Sequence, residues 1–321
     1  MRILITDHDF PNLDLELGIF RGAGFDVGTA QCRTEDDVIR AAQGCAGLLL
    51  QYAPITDRVL AASPQIGIVS RYGAGFDTVD TAACERHGVW LANSPDYGVG
   101  EVATHALAMA LALLRHLPFY DRDVKAGNWH YLSPGRIRRT GNLTLGILGL
   151  GRIGKRLAHI GRNCFKRVVA CDPYIIDGDF PAYVERVTLE ELFGQSDALS
   201  LHVPLNAETR GMVNGRLLQL MPPGSVLVNT ARGAVVNVDD LLAILGEGRL
   251  DGVALDVLPT EPIAIDHPLA LHPRVLLSPH AAFYSIEAEI ELRRKAALNI
   301  VAWAQRGRPD YPVVKGSKLP A

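Results

Sequence analysis

Cysteine is scarce in this 321-residue chain: the five present, Cys32, Cys45, Cys84, Cys164 and Cys171, are odd in number and no two stand in CxxC spacing. That argues against a disulfide framework or a zinc-ligand set and fits a reducing cytoplasm. Excess charge of one sign is missing too, with 32 Lys+Arg against 35 Asp+Glu and a formal charge of −3. The chain therefore has no global electrostatic attraction for nucleic acid or an anionic membrane surface. The longest apolar run, Val102 to Leu114, is interrupted by His105 and is far shorter than the ~18 residues a membrane span needs. The Met1 end, MRILITDHDF, lacks the charged, apolar and small-residue regions of a secretory leader. Ser317-Lys318-Leu319 spells a peroxisomal address, but Pro320 and Ala321 follow it, so it is not a terminal signal. The expectation is a cytoplasmic protein without membrane or nucleic-acid partners.

What is present points to ordinary globular structure. At ~150 residues per domain the length predicts two domains, and 48% hydrophobic with 21% charged residues supplies their cores. Short apolar runs alternate with helix-length segments, the pattern of parallel strands joined by crossover helices. Strands are expected at Arg2 to Thr6, Asp26 to Thr29, Gly47 to Gln51, Ile66 to Ser70 and Val89 to Ala92. A second series of six follows: LGILGL, RVVACD, ALSLHVP, SVLVNTA, GVALDV and VLLSPH, enough for a full doubly wound sheet. Between the series, Glu101 to Leu117 is apolar on nearly every face and reads as a helix buried on all sides. The stretch from Asp121 to Thr140 reads as a surface excursion, Ser285 to Ala304 as a helix, and the remainder as irregular.

Gly149-Leu150-Gly151-Arg152-Ile153-Gly154 is a GxGxxG that follows a strand and opens a helix, and Asp172 lies 18 residues beyond Gly154 at the end of the next strand. This is the spacing of a dinucleotide site: the glycines permit a tight turn and close approach to the pyrophosphate, while the acid accepts the ribose hydroxyls. A carboxylate there repels a 2′-phosphate, so NAD(H) is expected over NADP(H). Three later segments place polar residues at strand ends, where such sheets bind ligands: Arg232 after VNTA, Asp256 and Glu261 after GVAL, and His280 after LLSP. A 2-oxo acid needs a fixed cation for its carboxylate and carbonyl, which suits Arg, and a proton donor working near neutrality, which suits His. A carboxylate beside that His favours the imidazolium. Singly each residue also reads as a surface or turn residue; together they fall on successive strand ends of one sheet.

The stretches GILGLGRIGKRLA, VNTARGAVV, GVALDVLPTEP and SPHAAFYS, with SRYGAGFDTVD and ANSPDYGVGEVATHALA in the first third, resemble the NAD-dependent D-2-hydroxyacid dehydrogenases. SRYGAGFD, Asp172-Pro173-Tyr174 and HAAFYS look most like the branch that includes the C-terminal-binding proteins. The resemblance implies two doubly wound parallel-sheet α/β domains: a Rossmann cofactor domain (98–284) inserted into a flavodoxin-like substrate domain (1–97 and 285–321). It implies that Arg232 binds and polarises the substrate, His280 is the acid/base and Glu261 its partner. Gly73, Ala74 and Gly75 would supply backbone N–H groups to the carboxylate, with Arg71 adding a side-chain contact and Tyr72 and Phe283 shaping the pocket. Phe283 stands where the C-terminal-binding proteins have Trp. Cofactor contacts are implied at Gly149 to Gly154 (Leu150, Gly151, Arg152 and Ile153 included), Asp172, Pro173, His202, Val203, Pro204, Thr209, Thr230 and Ala231. Asp256 would meet the nicotinamide amide and Thr104 would face its ring. His202 reads equally as a buried structural histidine. His87, His105, His116 and His159 carry no partner pattern.

The expected activity is NADH-dependent reduction of a small 2-oxo acid to the D-2-hydroxy acid, or the reverse, by a homodimer joined through the cofactor domain, with no metal. Two alternatives stay open on the sequence: a non-enzymatic NAD(H)-sensing scaffold of the C-terminal-binding protein type, and an oxidoreductase acting on another small anion such as phosphite or formate.

Overall fold

A computed structural model describes residues 1–320, the side chain of Asp177 excepted. In chain order its strands are β1 (Arg2–Ile5), β2 (Asp26–Thr29), β3 (Gly47–Leu50), β4 (Ile68–Arg71), β5 (Trp90–Ala92), β6 (Thr144–Leu148), β7 (Arg167–Cys171), β8 (Val184–Arg186), β9 (Ala198–Leu201), β10 (Ser225–Asn229), β11 (Leu250–Leu255), β12 (Val275–Leu277) and β13 (Pro312–Val314). They fall into two compact units. One comprises Met1–Gly98 together with the chain from Ser285 onward; the other is Val99–Tyr284.

The first unit is a six-stranded sheet in the order β13-β5-β4-β3-β1-β2, parallel except for β13, which runs antiparallel to β5. Its parallel part has the 2-1-3-4-5 order of doubly wound flavodoxin-like sheets. The helix Ile286–Arg306 packs on this sheet. It starts where Ser285 Oγ accepts the Ala288 N–H at 3.0 Å and stops at Gly307, whose φ of 73° suits glycine at a helix C-terminus. Trp303 lies across Gly67, where a Cβ would come within 2.3 Å of the indole. Arg293 forks onto buried Glu16, each of two nitrogens at 2.8 Å from a carboxylate oxygen. Tyr72 donates its hydroxyl to the same carboxylate at 3.0 Å, and its ring is 2% exposed. The expected pocket role of this side chain is therefore corrected: Tyr72 belongs to the core, where the charge pair gives its hydroxyl a partner.

The second unit is a seven-stranded, wholly parallel sheet in the order β12-β11-β10-β9-β6-β7-β8, the doubly wound dinucleotide-binding order with one added strand. Its strands alternate between two apolar layers. Leu145, Ile147, Val168, Ala170, Val226 and Val228 face one layer, whereas Leu148, Val169, Leu199, Leu227, Val253 and Leu255 face the other. Burial on both faces explains why these strands read as unbroken apolar runs. The helix Val99–Leu114 lies against the first layer through Ala103, Ala106, Met109 and Ala110, while Thr104 and Ala108 are exposed. It is thus one-sided, not buried all round, and it ends before His116, whose φ is 51°. A separate helix, Leu117–Lys125, follows at a bend of 57°. Among the described residues no single helix is long and apolar enough to cross a membrane.

The order of strands reverses between β6 and β9, so the loops after these two strands flank the crevice in which sheets of this kind bind ligands.

Candidate active site

The glycine loop leaves β6 and enters the helix Arg152–Gly161. At Gly149, φ is 90° and a Cβ would lie 2.8 Å from the His202 carbonyl oxygen, so glycine lets the loop pass against the segment after β9. At Gly154 a Cβ would come within 2.1 Å of the Gly149 oxygen, so helix and strand meet only because it is absent. A Cβ on Gly151 would meet no protein atom within 4 Å. That glycine faces open space at a helix N-terminus that no side chain caps, a cradle suited to a pyrophosphate. Arg152 is exposed and Ile153 half-buried beside it. Leu150 is fully buried, and its N–H donates to Asp172 Oδ2 at 2.8 Å. Asp172 Oδ1 accepts the Tyr174 N–H at 3.0 Å, so both carboxylate oxygens are oriented and each keeps lone-pair capacity for a hydroxyl donor. Pro173 is exposed next to it.

Across the switch point, Thr209 Oγ donates to the Pro204 oxygen at 2.6 Å and closes the 204–209 turn beside Val203. His202 Nε2 sits 2.9 Å from Ser200 Oγ, and burial pushes its ring down to about 4, so it is neutral at physiological pH. Thr230 is 8% exposed and its hydroxyl meets no hydrogen-bond partner, an unsatisfied polar atom next to Ala231 that a bound ligand would satisfy. These features fit a dinucleotide. Thr104 Oγ donates within its own helix turn, to Gly100 O at 2.8 Å.

The three polar strand ends converge. Fully buried Asn229 clamps the turn after β10: Oδ1 accepts the Ala231 N–H at 3.0 Å and Nδ2 donates to the Arg232 carbonyl at 2.9 Å. At Gly233 a Cβ would sit 1.9 Å from the Leu258 carbonyl carbon, so glycine brings the arginine turn onto the 258–261 turn. There Glu261 Oε1 accepts the Leu258 N–H at 2.8 Å, and Oε2 lies 2.8 Å from His280 Nδ1. Partial burial pushes the Glu261 carboxyl up. The hydrogen bonds from His280 and Leu258, with the charges of His280 and Arg232, outweigh that and hold it below the usual carboxylate range. Phe283 meets the His280 ring edge to face at 6.5 Å.

His280 has φ 53°, a left-handed conformation uncommon for a non-glycine residue. Asp256, 2% exposed, holds it there. The His280 N–H donates to the Asp256 carbonyl at 2.8 Å; Ala281 and Ala282 N–H donate to its carboxylate at 2.9 and 3.0 Å; and the Ser278 hydroxyl donates to Oδ1 at 2.5 Å. Asp256 thus anchors the histidine turn, and its Oδ2 keeps room for one more donor. Among the described residues no cluster of His, Cys, Asp and Glu is placed to hold a metal ion.

In the first unit the loop after β4 is built around Gly73, φ 123°, where a Cβ would lie 1.8 Å from an Arg71 nitrogen. Glycine gives the guanidinium its place over the loop, and Arg71 Nε donates to the Gln51 carbonyl at 3.2 Å. The carbonyls of Gly73 and Ala74 are taken by Ser94 N–H (2.9 Å) and Asn93 Nδ2 (2.7 Å). Ala74 is exposed and Gly75 half-buried.

Asn229, Gly233, Ser278 and His105 are parts of this arrangement that sequence patterns did not single out. A buried asparagine ending an apolar strand was the one visible signal, since such a side chain must bond to backbone.

Residues 107–282 match the model of the NAD-binding domain of D-isomer specific 2-hydroxyacid dehydrogenases. A glyoxylate reductase of Aeropyrum pernix is 36% identical over 268 residues, 79% of either chain. The solved NADPH-dependent glyoxylate/hydroxypyruvate reductase of Sinorhizobium meliloti, in complex with NADP and malonate, has a TM-score of 0.88 at 27% identity, over 100% of this chain and 99% of that one. The D-lactate dehydrogenase of Aquifex aeolicus, complexed with NAD and lactic acid, has a TM-score of 0.85 at 27% identity, over 98% of this chain and 100% of that one. With two parallel-sheet α/β units, a glycine cradle at the switch point and a family model that covers most of the second unit, this chain belongs to the D-isomer specific 2-hydroxyacid dehydrogenase family.

Proposed function

We propose that the protein reduces a small 2-oxo acid to the D-2-hydroxy acid with NADH, or runs the reverse oxidation. The observation that carries this reading is the His280–Glu261 pair at 2.8 Å, on a turn held by Asp256 and beside the turn that bears Arg232. The glycine cradle, Asp172 and Thr230 would hold the dinucleotide, and Asp256 Oδ2 has the capacity to accept from its carboxamide. When bound, the nicotinamide supplies hydride to the substrate carbon. Arg232 would hold the substrate carboxylate and polarise the carbonyl; fixing the reactant in this way is the positioning part of catalysis. His280, imidazolium partnered by Glu261, would deliver the proton to the developing alkoxide from Nε2, and Phe283 would wall the pocket. The test is loss of NADH absorbance with purified protein against glyoxylate, hydroxypyruvate, pyruvate and phenylpyruvate. Turnover that follows one side-chain class supports the reading. NADH binding without turnover on any of them would favour the sensing scaffold instead.

NADH is preferred to NADPH on this reading because Asp172 places negative charge at the ribose. The solved relatives include both an NAD complex and an NADP complex, so what supports the preference is Asp172 of this chain alone. Asp172→Ala should lower the ratio of kcat/KM for NADH over NADPH by at least ~10-fold, about one good hydrogen bond to a charged group. An unchanged ratio would remove Asp172 from cofactor choice.

The working form is assigned as a homodimer through the second unit. Trp129, Tyr131, Leu117 and Leu132, all in or next to the segment after the helix Val99–Leu114, are 87%, 76%, 57% and 48% exposed, an apolar concentration that suits contact with a second copy. Light scattering should give twice the chain mass of 34.8 kDa, and Trp129→Glu with Tyr131→Glu should lower it to that of one chain. The reducing cytoplasm remains the setting that the five unpaired cysteines suit.

A further inference from the structure

His105 stands apart from the residues that would touch substrate or cofactor, yet it is joined to them. It lies on the helix Val99–Leu114, with Nε2 3.0 Å from Ser278 Oγ and 3.8 Å from Asp256 Oδ1. The direction of the first contact follows from the proton count. The Ser278 hydroxyl has one proton, and at 2.5 Å from Asp256 Oδ1 that proton points at the carboxylate, which already accepts from Ala281 and Ala282 N–H. Ser278 Oγ is left as an acceptor, so His105 Nε2 carries a proton and donates. A chain of donors then runs from His105 through Ser278 to Asp256, and Asp256 holds His280 at φ 53°. A left-handed non-glycine residue keeps that conformation only while its surroundings over-determine it. In a partly buried network each bond also polarises the next.

We infer that His105 is a positioning residue for the acid/base histidine: its Nε2–H orients the Ser278 hydroxyl onto Asp256 and so keeps the His280 turn, and with it the His280–Glu261 pair, in register. The inference rests on the proposed role of His280 for its kinetic consequences, but its structural content is independent of turnover.

The test uses His105→Leu, which keeps apolar volume and removes the donor, His105→Gln, which restores an N–H at a similar reach, Ser278→Ala, and the Leu/Ala double variant. His105→Leu is expected to lower kcat by about 10-fold, the size of effect seen when a group that orients a reacting residue is removed, with the KM for the acid and the affinity for NADH unchanged. Ser278→Ala should lose a similar amount, the double variant no more than either alone, and His105→Gln should recover most of the loss. A second readout needs no activity: the rate of hydrogen–deuterium exchange at the His280, Ala281 and Ala282 amides in the free protein, followed by mass spectrometry of their peptide. Loosening the turn opens the bonds by which these amides donate to Asp256, so exchange should be several-fold faster in His105→Leu and Ser278→Ala and return towards the parent rate in His105→Gln. Equal exchange in parent and His105→Leu, losses of kcat that multiply in the double variant, or a His105→Gln as impaired as His105→Leu would overturn the inference. If the parent turns over no 2-oxo acid, the proposed function fails while the exchange rates still decide the role of His105; if His105→Leu does not fold, Ser278→Ala with the same readouts decides it.

Discussion

Replacing His280 by glutamine is expected to lower kcat for 2-oxo acid reduction by ~10² to 10⁴-fold, the usual contribution of a positioned acid/base, while NADH binding measured by fluorescence is retained. Glutamine keeps hydrogen-bonding capacity towards Glu261 but gives up no proton to an alkoxide, so the substitution separates orientation from proton transfer. The environment supports this division of labour. His280 Nδ1 is committed to Glu261 at 2.8 Å, which leaves Nε2 as the nitrogen that would deliver the proton on the proposed reading. Because Glu261 is held below the usual carboxylate range, it remains an acceptor on the acidic side of any activity profile. The sign of the linked stability is the same: the pair contributes above the ordinary carboxylate range and its contribution disappears only as pH falls through the lowered value. Both partners are more than a third exposed on their side chains, so solvent screens the pair and its worth is mainly orientation. A His280→Gln protein with undiminished kcat would exclude His280 as the acid/base.

The second large effect is expected at Arg232. Truncation to alanine should reduce kcat/KM for the 2-oxo acid by ~10² to 10³-fold, as for the loss of a preorganised charged donor at a developing oxyanion. Arg232→Lys should restore only part of this, since an ammonium keeps the charge but not the planar fork that matches a carboxylate. The backbone around it is fixed from behind: Asn229 holds both the Ala231 N–H and the Arg232 carbonyl, and Gly233 sets the distance to the 258–261 turn. The alanine variant should therefore fold normally and bind NADH with parent affinity, which makes the kinetic loss attributable to the guanidinium. A fall in NADH affinity equal to the fall in kcat/KM would assign Arg232 to the cofactor instead.

Much of the fold was visible in the residues for one physical reason. Strands buried on both faces, such as β6 with Leu145 and Ile147 on one layer and Leu148 on the other, must be apolar throughout and so announce themselves. The two strands that escaped notice lie at sheet edges. In β8 only Val184 of three residues is buried, and in β13 only Val314, so neither has a pattern long enough to read; Pro312 at the start of β13 is tolerated because an edge strand leaves one side unpaired. The glycine loop and Asp172 were legible because a tight turn and a strand end fix their spacing along the chain. The support beneath His280 was not. His105 and Ser278 are 173 positions apart, and no local periodicity records a bond across that distance. Tyr72 misled for the converse reason: it sits in a loop of candidate ligand residues, but Glu16 and Arg293 draw its ring into the core.

The most direct test of the proposed chemistry follows the hydride itself. With NADH deuterated at both C4 positions and a prochiral 2-oxo acid such as pyruvate, phenylpyruvate or hydroxypyruvate, the product should carry one deuterium at C2 and have the D configuration, in an amount equal to the NADH oxidised. A product of L configuration, deuterium absent from C2, or NADH consumed without hydroxy acid formed would contradict hydride transfer at a site built from Arg232, Glu261 and His280.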